Sequence, residues 1–547
     1  MSGSESSVIG RDRYDVVIAG GGLAGLCLAI ELKRADAGIE ILVAEKSEHP
    51  APISAHKVGE SSVELASHYF REVLGVSDLL SAELVKFGLR FLMSHGDNTD
   101  VATRLECGPS HFLTVQSFQI DRGRFENGLA RRATELGVDF ADGCLVKGID
   151  LGEGEDDHRV EVERLGGVRE LRCRWIVDAS GRRALLKKKL SLAEPNRHNV
   201  NAVWFRVDHL IDIDDWSDDL DWCRRLEQPR RFSTNHLLGE GYWVWLIPLA
   251  GDRTSVGIVV DDNLHPFSGI SSFEKALAWL ERHEPQCAGV VRELADRKMD
   301  FKALRNYSHG VKRMFSGDRW CLAGESGIFI DPFYSPGSDF IAMANGYATD
   351  LITRDLRGEA IRELADRHDQ AYRSLCRTYL VNYHRQYPLM GSPRVMTTKI
   401  VWDFVMYWGG IAVIYFAGRF YDESFREKAR PSMQRFASMN VRMQALFRDW
   451  AAAEDMRPPR PGSFVDYAEL GFLSKLNAEL PCATGCEAGE DDAALVARLE
   501  RNVRLAEDLR LEIQSEAAHC LPSAALSYGD APRSGHLGGM YAVMRPE

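Results

Sequence analysis

Three things are scarce in this chain of 547 residues: metal-binding patterns, excess positive charge and long apolar runs. Its 11 cysteines are scattered. Cys482 and Cys486 lie close together, but no second pair completes a zinc site, which argues against a structural metal. The odd cysteine count favours reduced thiols, most of them buried as small apolar residues. Lysine and arginine number 67 against 80 aspartates and glutamates, a net charge of −13. Without a basic patch, a nucleic-acid partner is not expected. Met1 to Ser7 is polar and lacks the charged-then-apolar order of a signal peptide, so a cytoplasmic location is expected. No internal repeat is evident. The one long apolar run, Val401 to Gly418, is interrupted by Asp403 and by two adjacent glycines. It is at the lower edge of a membrane span, and a buried helix lining a pocket is expected there instead.

What is present reads as an ordinary globular enzyme, 45% hydrophobic and 27% charged, long enough for two or three packed regions. Tyr14 to Ala19 is a compact apolar run of the kind buried in a parallel sheet. Gly20-Gly21-Gly22-Leu23-Ala24-Gly25 follows, then a helical stretch through Leu32 and a second strand from Ile39 to Ala44 ending at Glu45. Further strands are expected at Arg90 to Met93, Arg159 to Glu163, Trp175 to Asp178, Val203 to Val207, Tyr242 to Ile247 and Thr254 to Val260. Helices are expected at Phe125 to Leu136 and Ser272 to His283. The alternation predicts an α/β fold, a Rossmann-like domain with an inserted antiparallel sheet. From about Asn345 the pattern turns helical and aromatic. Pro458 to Gly462 reads as a break, Asp491 to Ala517 as a charged amphipathic helix, and the tail from Pro522 as loose. The division expected is a core over residues 1–375, with the inserted sheet at about 195–310, and a helical region over residues 376–547.

Gly20, Gly22 and Gly25 have the Gly-x-Gly-x-x-Gly spacing that allows a tight turn, close backbone approach to a pyrophosphate and close helix packing. The helix that opens at Leu23 and Ala24 offers free amides and a positive dipole to phosphates. Glu45, beside Lys46, stands where a carboxylate can bind ribose hydroxyls. Dinucleotide binding follows from this unit.

Trp243-Val244-Trp245-Leu246-Ile247-Pro248 puts two indoles on one strand face, and Pro248 is expected to end that strand or confine it to an edge. Together with the fingerprint, this hexapeptide resembles the Trp-x-Trp-x-Ile-Pro signature of the flavin-dependent halogenases, a branch of the flavoprotein monooxygenase fold. The resemblance covers residues 14 to about 345 and fits the phenol and pyrrole halogenases. It implies FAD, used as FADH2 from a separate flavin reductase, with O2 and halide consumed. It implies further flavin contacts at Asp178 and Gly181, at Gly324 and Glu325 where the family has Gly-Asp, and at Arg122. Lys57-Val58-Gly59-Glu60-Ser61 resembles the family's turn near the flavin. Trp243 and Trp245 would keep the organic substrate away from the flavin, and Lys86 would present hypohalous acid to an electron-rich ring, with Lys57 as the rival lysine.

Phe329 to Gly337 meets every fixed position of the family's Phe-x-x-Pro-x-x-Ser-x-Gly segment, with Ser335 and Gly337 in place. Tyr334 stands where tryptophan halogenases carry a catalytic glutamate. Pro336 departs from the family, which holds halide with the backbone N–H groups at the positions of Pro336 and Gly337. Proline has no N–H, and losing one donor to a desolvated anion costs on the order of 1.5–3 kcal/mol. Asp339 adds a charge expected to repel halide further. Three readings follow: a halogenase of a small aromatic, free or tethered to a carrier protein; an oxidoreductase of this fold that works without halide; and a non-catalytic flavin or lipid-binding protein.

Overall fold

The computed structural model describes residues 9–54, 57–454, 459–481, 491–521 and 535–545. Contacts divide the chain into two units, Met1–Glu83, Ile120–Arg197 and Ser308–Arg377 in one, Leu84–Gln119, His198–Tyr307 and Thr378–Glu547 in the other.

The first unit is built on a sheet with the strand order Phe315–Ser316, Trp320–Leu322, Gly167–Asp178, Arg13–Ala19, Ile41–Ala44 and Asp139–Ala141. Its pairs are parallel except at the outer Phe315–Ser316 strand. Val16, Val17, Ile18, Leu42, Val43, Ile176 and Val177 are all fully or almost fully buried. Such strands carry apolar residues on both faces, which is why Tyr14 to Ala19 reads as a continuous run. Helix Leu23–Ala35 lies against these strands and packs on helices Arg122–Glu135 and Gly337–Leu356. Strands His158–Arg164 and Cys144–Asp150 continue antiparallel from Gly167–Asp178.

The second unit is built on an eight-stranded sheet. Its order is Lys302–Leu304, Val200–Val207, Arg253–Asp261, Tyr242–Leu249, Thr234–Gly239, Leu89–Met93, Glu106–Gly108 and Phe464–Asp466. The pairs are antiparallel except those of Thr234–Gly239 with Leu89–Met93 and of Glu106–Gly108 with Phe464–Asp466. Residues alternate between its faces. Leu237, Val244, Leu246, Val256, Ile258 and Val260 pack with Trp279, Leu280 and Val291 of helices Phe273–His283 and Pro285–Glu293 into one apolar core. Each fully buried aliphatic side chain of this kind contributes roughly 1.5–3 kcal/mol. The opposite face carries the indoles.

The structure differs from the sequence reading at three points. Residues 84–119 and the helical region after residue 377 share a unit with the sheet, which therefore extends beyond the window of 195–310. Pro248 neither ends its strand nor marks an edge. The strand runs on to Leu249 and Pro248 faces Thr254, while the pairing with Thr234–Gly239 stops at Leu246. Pro248 thus lies where no ladder amide is required, so its missing N–H costs nothing. The tail expected to be loose from residue 522 lies outside the described residues up to 534. Beyond it, helix Gly538–Val543 is anchored by buried Met540 and Tyr541. Pro458, Cys482 and Cys486 also lie outside the described residues; most of the described cysteines are buried thiols.

The apolar run falls in the continuous helical stretch Pro393–Phe416, which is 24 residues long with 89% of its most apolar window buried. Inside it Lys399 and Asp403 form a fully buried ion pair, and Asp403 also accepts a hydrogen bond from Gln444 at 2.7 Å. Helices Glu423–Ala453 and Asp492–Ala517 pack on one another beside it.

Candidate functional site

In the first unit the glycine fingerprint is forced by close approaches. Gly20 has φ +122, and a Cβ there would lie 2.3 Å from the Ala179 carbonyl oxygen. A Cβ on Gly25 would lie 2.1 Å from the Gly20 carbonyl oxygen. Gly22 is the N-cap of helix Leu23–Ala35, which Leu23, Ala24 and Gly25 open. Glu45 is buried, and its carboxylate accepts the Gly21 amide at 2.7 Å and the Ser47 amide at 2.9 Å. Lys46 next to it is exposed.

The side chain that meets the helix N-terminus is Glu126. It is fully buried, and its Oε1 accepts the Leu23 amide at 3.2 Å. Arg122 pairs with the same carboxylate, and Lys57 Nζ lies 2.9 Å from Oε2. Two cations around one carboxylate leave this end of the helix net positive, which suits a pyrophosphate. Arg122 also donates to the Val58 carbonyl at 2.6 Å, and a Cβ at Gly59 would meet the Arg122 guanidinium at 2.7 Å. Lys57, Gly59 and Arg122 are therefore one cluster, with Glu60 and Ser61 buried just beyond it. In sequence Glu126 closes the segment from Ile120 that resembles a family segment normally ending Phe-Asp, with no role assigned to it, although its i,i+4 spacing from Arg122 is visible.

Asp178 is used by the chain itself. Its carboxylate accepts the Ser180 amide at 3.0 Å, the Ser180 hydroxyl at 2.6 Å and the Leu186 amide at 2.8 Å. Burial nevertheless pushes its pKa up. Gly181 has φ +58 in the same turn. Gly324 has φ +60 and a Cβ there would lie 2.9 Å from Ala24, so glycine lets this loop reach the dinucleotide helix. Glu325 is partly exposed and pairs with Arg182 at 3.4 Å.

The segment Phe329 to Gly337 contains two successive non-glycine residues in the left-handed region, Tyr334 at φ 70 and Ser335 at φ 60. Such conformations cost on the order of 1–3 kcal/mol each and collect at functional sites. The Ser335 amide donates to the Pro332 carbonyl at 2.8 Å, and the Tyr334 ring packs on Phe333. Pro336 is the N-cap of helix Gly337–Leu356 and brings no amide hydrogen. Asp339 is buried, and its Oδ1 accepts the Ala66 amide at 2.9 Å.

Lys86, Trp243 and Trp245 belong to the second unit. One row of side chains crosses its sheet through direct cross-strand partners: Trp204, Gly257, Trp245, His236 and Phe91. Phe91 stacks on His236 with ring centroids 4.7 Å apart, and Trp243 and Trp245 lie 5.6 Å apart. Trp243 donates its indole N–H to the Tyr387 hydroxyl at 3.0 Å, and Trp245 to Ser255 at 3.2 Å. Both indoles are buried. Gly257 exists to make room: a Cβ there would lie 2.1 Å from the Trp245 ring. Gly257→Ala is expected to displace that indole and to lower stability by about 1–3 kcal/mol. Chemical denaturation together with Trp fluorescence reads both effects.

Lys86 ends strand Leu84–Lys86, which pairs antiparallel with Ser117–Gln119. The polarity of this strand is inverted. Val85 is 36% exposed, whereas Lys86 is 3% exposed. An inward lysine beside an outward valine reverses the usual apolar-in, polar-out placement, and such departures collect at sites kept for function. In the same unit, Arg90, Glu106 and Arg230 form a fully buried charge cluster, with Arg230 bidentate on Glu106 at 2.9 Å. Arg230 continues to Asp214 at 2.7 Å, and Arg90 to the Pro109 carbonyl at 2.7 Å. Elsewhere in the unit His111, Asp466 and Glu469 lie within 4.8 Å of one another. There Asp466 already accepts the Ser110 and Ala468 amides.

The FAD binding domain family matches residues 13–262. Flavin-dependent halogenase chlA of Dictyostelium discoideum is 25% identical over 445 residues, covering 74% of this chain and 71% of its own. A pyrrole-2-carbonyl peptidyl-carrier-protein chlorinase of Pseudomonas fluorescens is 25% identical over 414 residues, covering 71% of this chain and 86% of its own. The crystal structure of halogenase PltM with phloroglucinol and FAD shares the fold, with a TM-score of 0.62 at 16% identity over 91% of this chain and 96% of that one. The chain is a FAD-dependent oxidoreductase related to the flavin-dependent halogenases of the phenol and pyrrole type.

Proposed function

We propose that this protein halogenates an electron-rich aromatic of the phenol or pyrrole class, with Lys86 as the group that activates hypohalous acid. The observation that carries the reading is the inverted strand: Lys86 is buried while Val85 is exposed. Burying a lysine costs several kcal/mol that its surroundings must offset, and this inward lysine stands in the segment that resembles the one holding the family's catalytic lysine. The relatives support the substrate class, since one of them chlorinates a pyrrole carried on a peptidyl carrier protein. A carrier-tethered pyrrole is therefore the first substrate form to try, with a free phenol as the second.

FAD would be held by Gly20, Gly22, Leu23, Ala24 and Gly25, with Glu45 on the ribose and Arg122 and Lys57 beside the phosphates. When bound in its reduced form, delivered by a separate reductase, it supplies with O2 the oxidising equivalents that convert halide to hypohalous acid. Lys86 then donates a hydrogen bond to the oxygen of that acid. The aromatic carbon takes the halogen as the oxygen–halogen bond breaks, and the hydroxide released becomes water with the proton that the ring then loses. An ammonium suits this role because all three of its N–H groups are donors.

A second reading, oxidation without halide, is favoured by Pro336, which removes one expected anion donor. The two readings part in one experiment. The protein is incubated with a flavin reductase, NADH, FAD, O2 and pyrrole or phenol substrates, with and without bromide. Halogenated product that requires bromide supports the first reading, and oxidised product at equal rates without halide removes it. In the same assay Pro336→Ser restores an N–H and is expected to lower the half-saturating bromide concentration by roughly tenfold to hundredfold. An unchanged bromide dependence counts against the loop as the halide site.

A further inference from the structure

We propose that Lys187 is a positioning residue: paired with His309, it clamps the loop from Gly324 to Gly327 to the stem of the Phe329 to Gly337 segment and so fixes the backbone that leads into that segment. The consequence for halide rests on the proposed reading of the segment as the halide loop.

Of three successive lysines on helix Leu185–Lys189, Lys187 turns inward and is 6% exposed, while Lys188 and Lys189 are exposed. Its Nζ donates to the Gly327 carbonyl at 2.7 Å and lies 2.8 Å from His309 Nδ1. An ammonium can only donate, so Nδ1 accepts and the ring proton sits on Nε2. Burial first, and then the Lys187 and Arg182 charges, pull His309 down to about 4, in keeping with a neutral ring. Burial pulls Lys187 down to about 8 against the Asp178 charge, so it remains largely cationic at neutral pH. Both of its contacts are therefore charge-assisted, the stronger kind.

The backbone of the same histidine holds the other end. The His309 amide donates to the Phe329 carbonyl at 2.8 Å, and the Phe329 amide donates to the His309 carbonyl at 3.0 Å. The Asn196 side-chain amide and the Ser308 hydroxyl each reach that Phe329 carbonyl at 3.3 Å. Strand His309–Val311 is itself paired with Ala193–Pro195. A closed ring of contacts results. It runs from Lys187 to Gly327, along the chain to Phe329, across to His309, and from the imidazole back to Lys187. Ile328 alone lies between the two held residues. The helix and the loop also start from one residue, since Asp178 accepts the Leu186 amide on its carboxylate at 2.8 Å and the Ala323 amide on its carbonyl at 2.9 Å. Beyond Phe329 the chain enters the turn with left-handed Tyr334 and Ser335. Such a turn persists only where its surroundings over-determine it, and the ring gives it a fixed base.

The test compares Lys187→Met, His309→Leu, His309→Asn and the Lys187→Met/His309→Leu double variant by two readouts. One is amide hydrogen exchange over residues 324–337, and the other is the half-saturating bromide concentration in the reductase-coupled assay. Methionine keeps the lysine stem without its N–H groups, leucine removes the acceptor, and asparagine returns an oxygen near the Nδ1 position. The expected result is that Lys187→Met and His309→Leu each raise both readouts by about tenfold, with kcat at saturating bromide nearly unchanged. His309→Asn should stay near native, and the double variant should be no worse than either single one, because both remove the same contact. The proposal is overturned if exchange is unchanged in the Met and Leu variants, if Asn is as damaging as Leu, or if the two losses add. Faster exchange with an unchanged bromide dependence also overturns it, leaving the pair a purely structural part. If the native enzyme turns over equally without bromide, the halide reading of the segment fails, and the exchange rates alone decide the clamp.

Discussion

Lys86→Met is expected to lower product formation by roughly a hundredfold to ten-thousandfold, the range that a positioned proton donor contributes. Methionine fills the stem of the lysine without its charge, so the inward pocket stays filled. Reduced flavin should still be consumed by O2, with the oxidising equivalents lost as peroxide. The informative quantity is halogenated product per flavin oxidised, measured by chromatography beside a peroxide assay. A fall in the ratio with continued flavin oxidation is the signature of a lost activating group. A ratio equal to that of the native enzyme would remove Lys86 from the mechanism and return Lys57 to consideration. Lys57 is tied to Glu126 at 2.9 Å and is far more exposed, which is why it is the weaker of the two.

Replacing Glu106 is expected to produce the largest loss of stability. This carboxylate lies fully buried between Arg90 and Arg230, and its removal leaves two guanidinium groups in a dry interior. Breaking a buried pair from one side costs about 3–5 kcal/mol, which for a unit of this size is a fall in midpoint of roughly 5–10 °C. Glu106→Gln keeps the shape and removes the charge, so it isolates the electrostatic part. Burial alone would raise the carboxyl, but the Arg90 and Arg230 guanidiniums outweigh it and hold Glu106 below its ordinary value of 4.5. A depressed carboxyl adds stability that is complete above the unfolded-state value and is lost as pH falls through the folded one. Native protein should therefore lose stability on acidification below about pH 4.5, with a shallower dependence in Glu106→Gln. Denaturant midpoints at several pH values check both statements. Equal midpoints for native protein and variant at neutral pH would mean that the cluster adds no net stability.

The first unit was legible in the sequence because its information is local. A strand buried on both faces shows as an unbroken apolar run, and the glycine fingerprint shows in its own spacing, although the Ala179 carbonyl that crowds Gly20 lies far along the chain. The second unit was legible only along each strand. Trp243 and Trp245 could be assigned to one face from their spacing. Their neighbours could not, because the row from Phe91 through His236 to Trp245 is set by register between distant strands. His236 and the Arg90 carbonyl it contacts are 146 residues apart. The same holds for Arg90, Glu106 and Arg230, where Glu106 meets Arg230 across 124 residues of chain. Lys86 was found by resemblance, whereas simple alternation would have turned it outward and Val85 inward. Pro248 misled because an edge was inferred from a residue type, when the true cause is that its neighbouring strand stops two residues earlier.

Strand Phe464–Asp466 is three residues long, yet it closes one side of the sheet by pairing with Glu106–Gly108. Next to it the Tyr467 hydroxyl donates to the Leu89 carbonyl across 378 residues of chain. On the ribosome, then, the Glu106–Gly108 edge must wait for most of the polypeptide to emerge before its partner exists. An open strand edge held for that long is a template for pairing with other chains. Yield of native protein should accordingly depend on translation speed and on chaperones that cover nascent β edges, and a shortened chain ending before residue 464 would carry that exposed edge permanently.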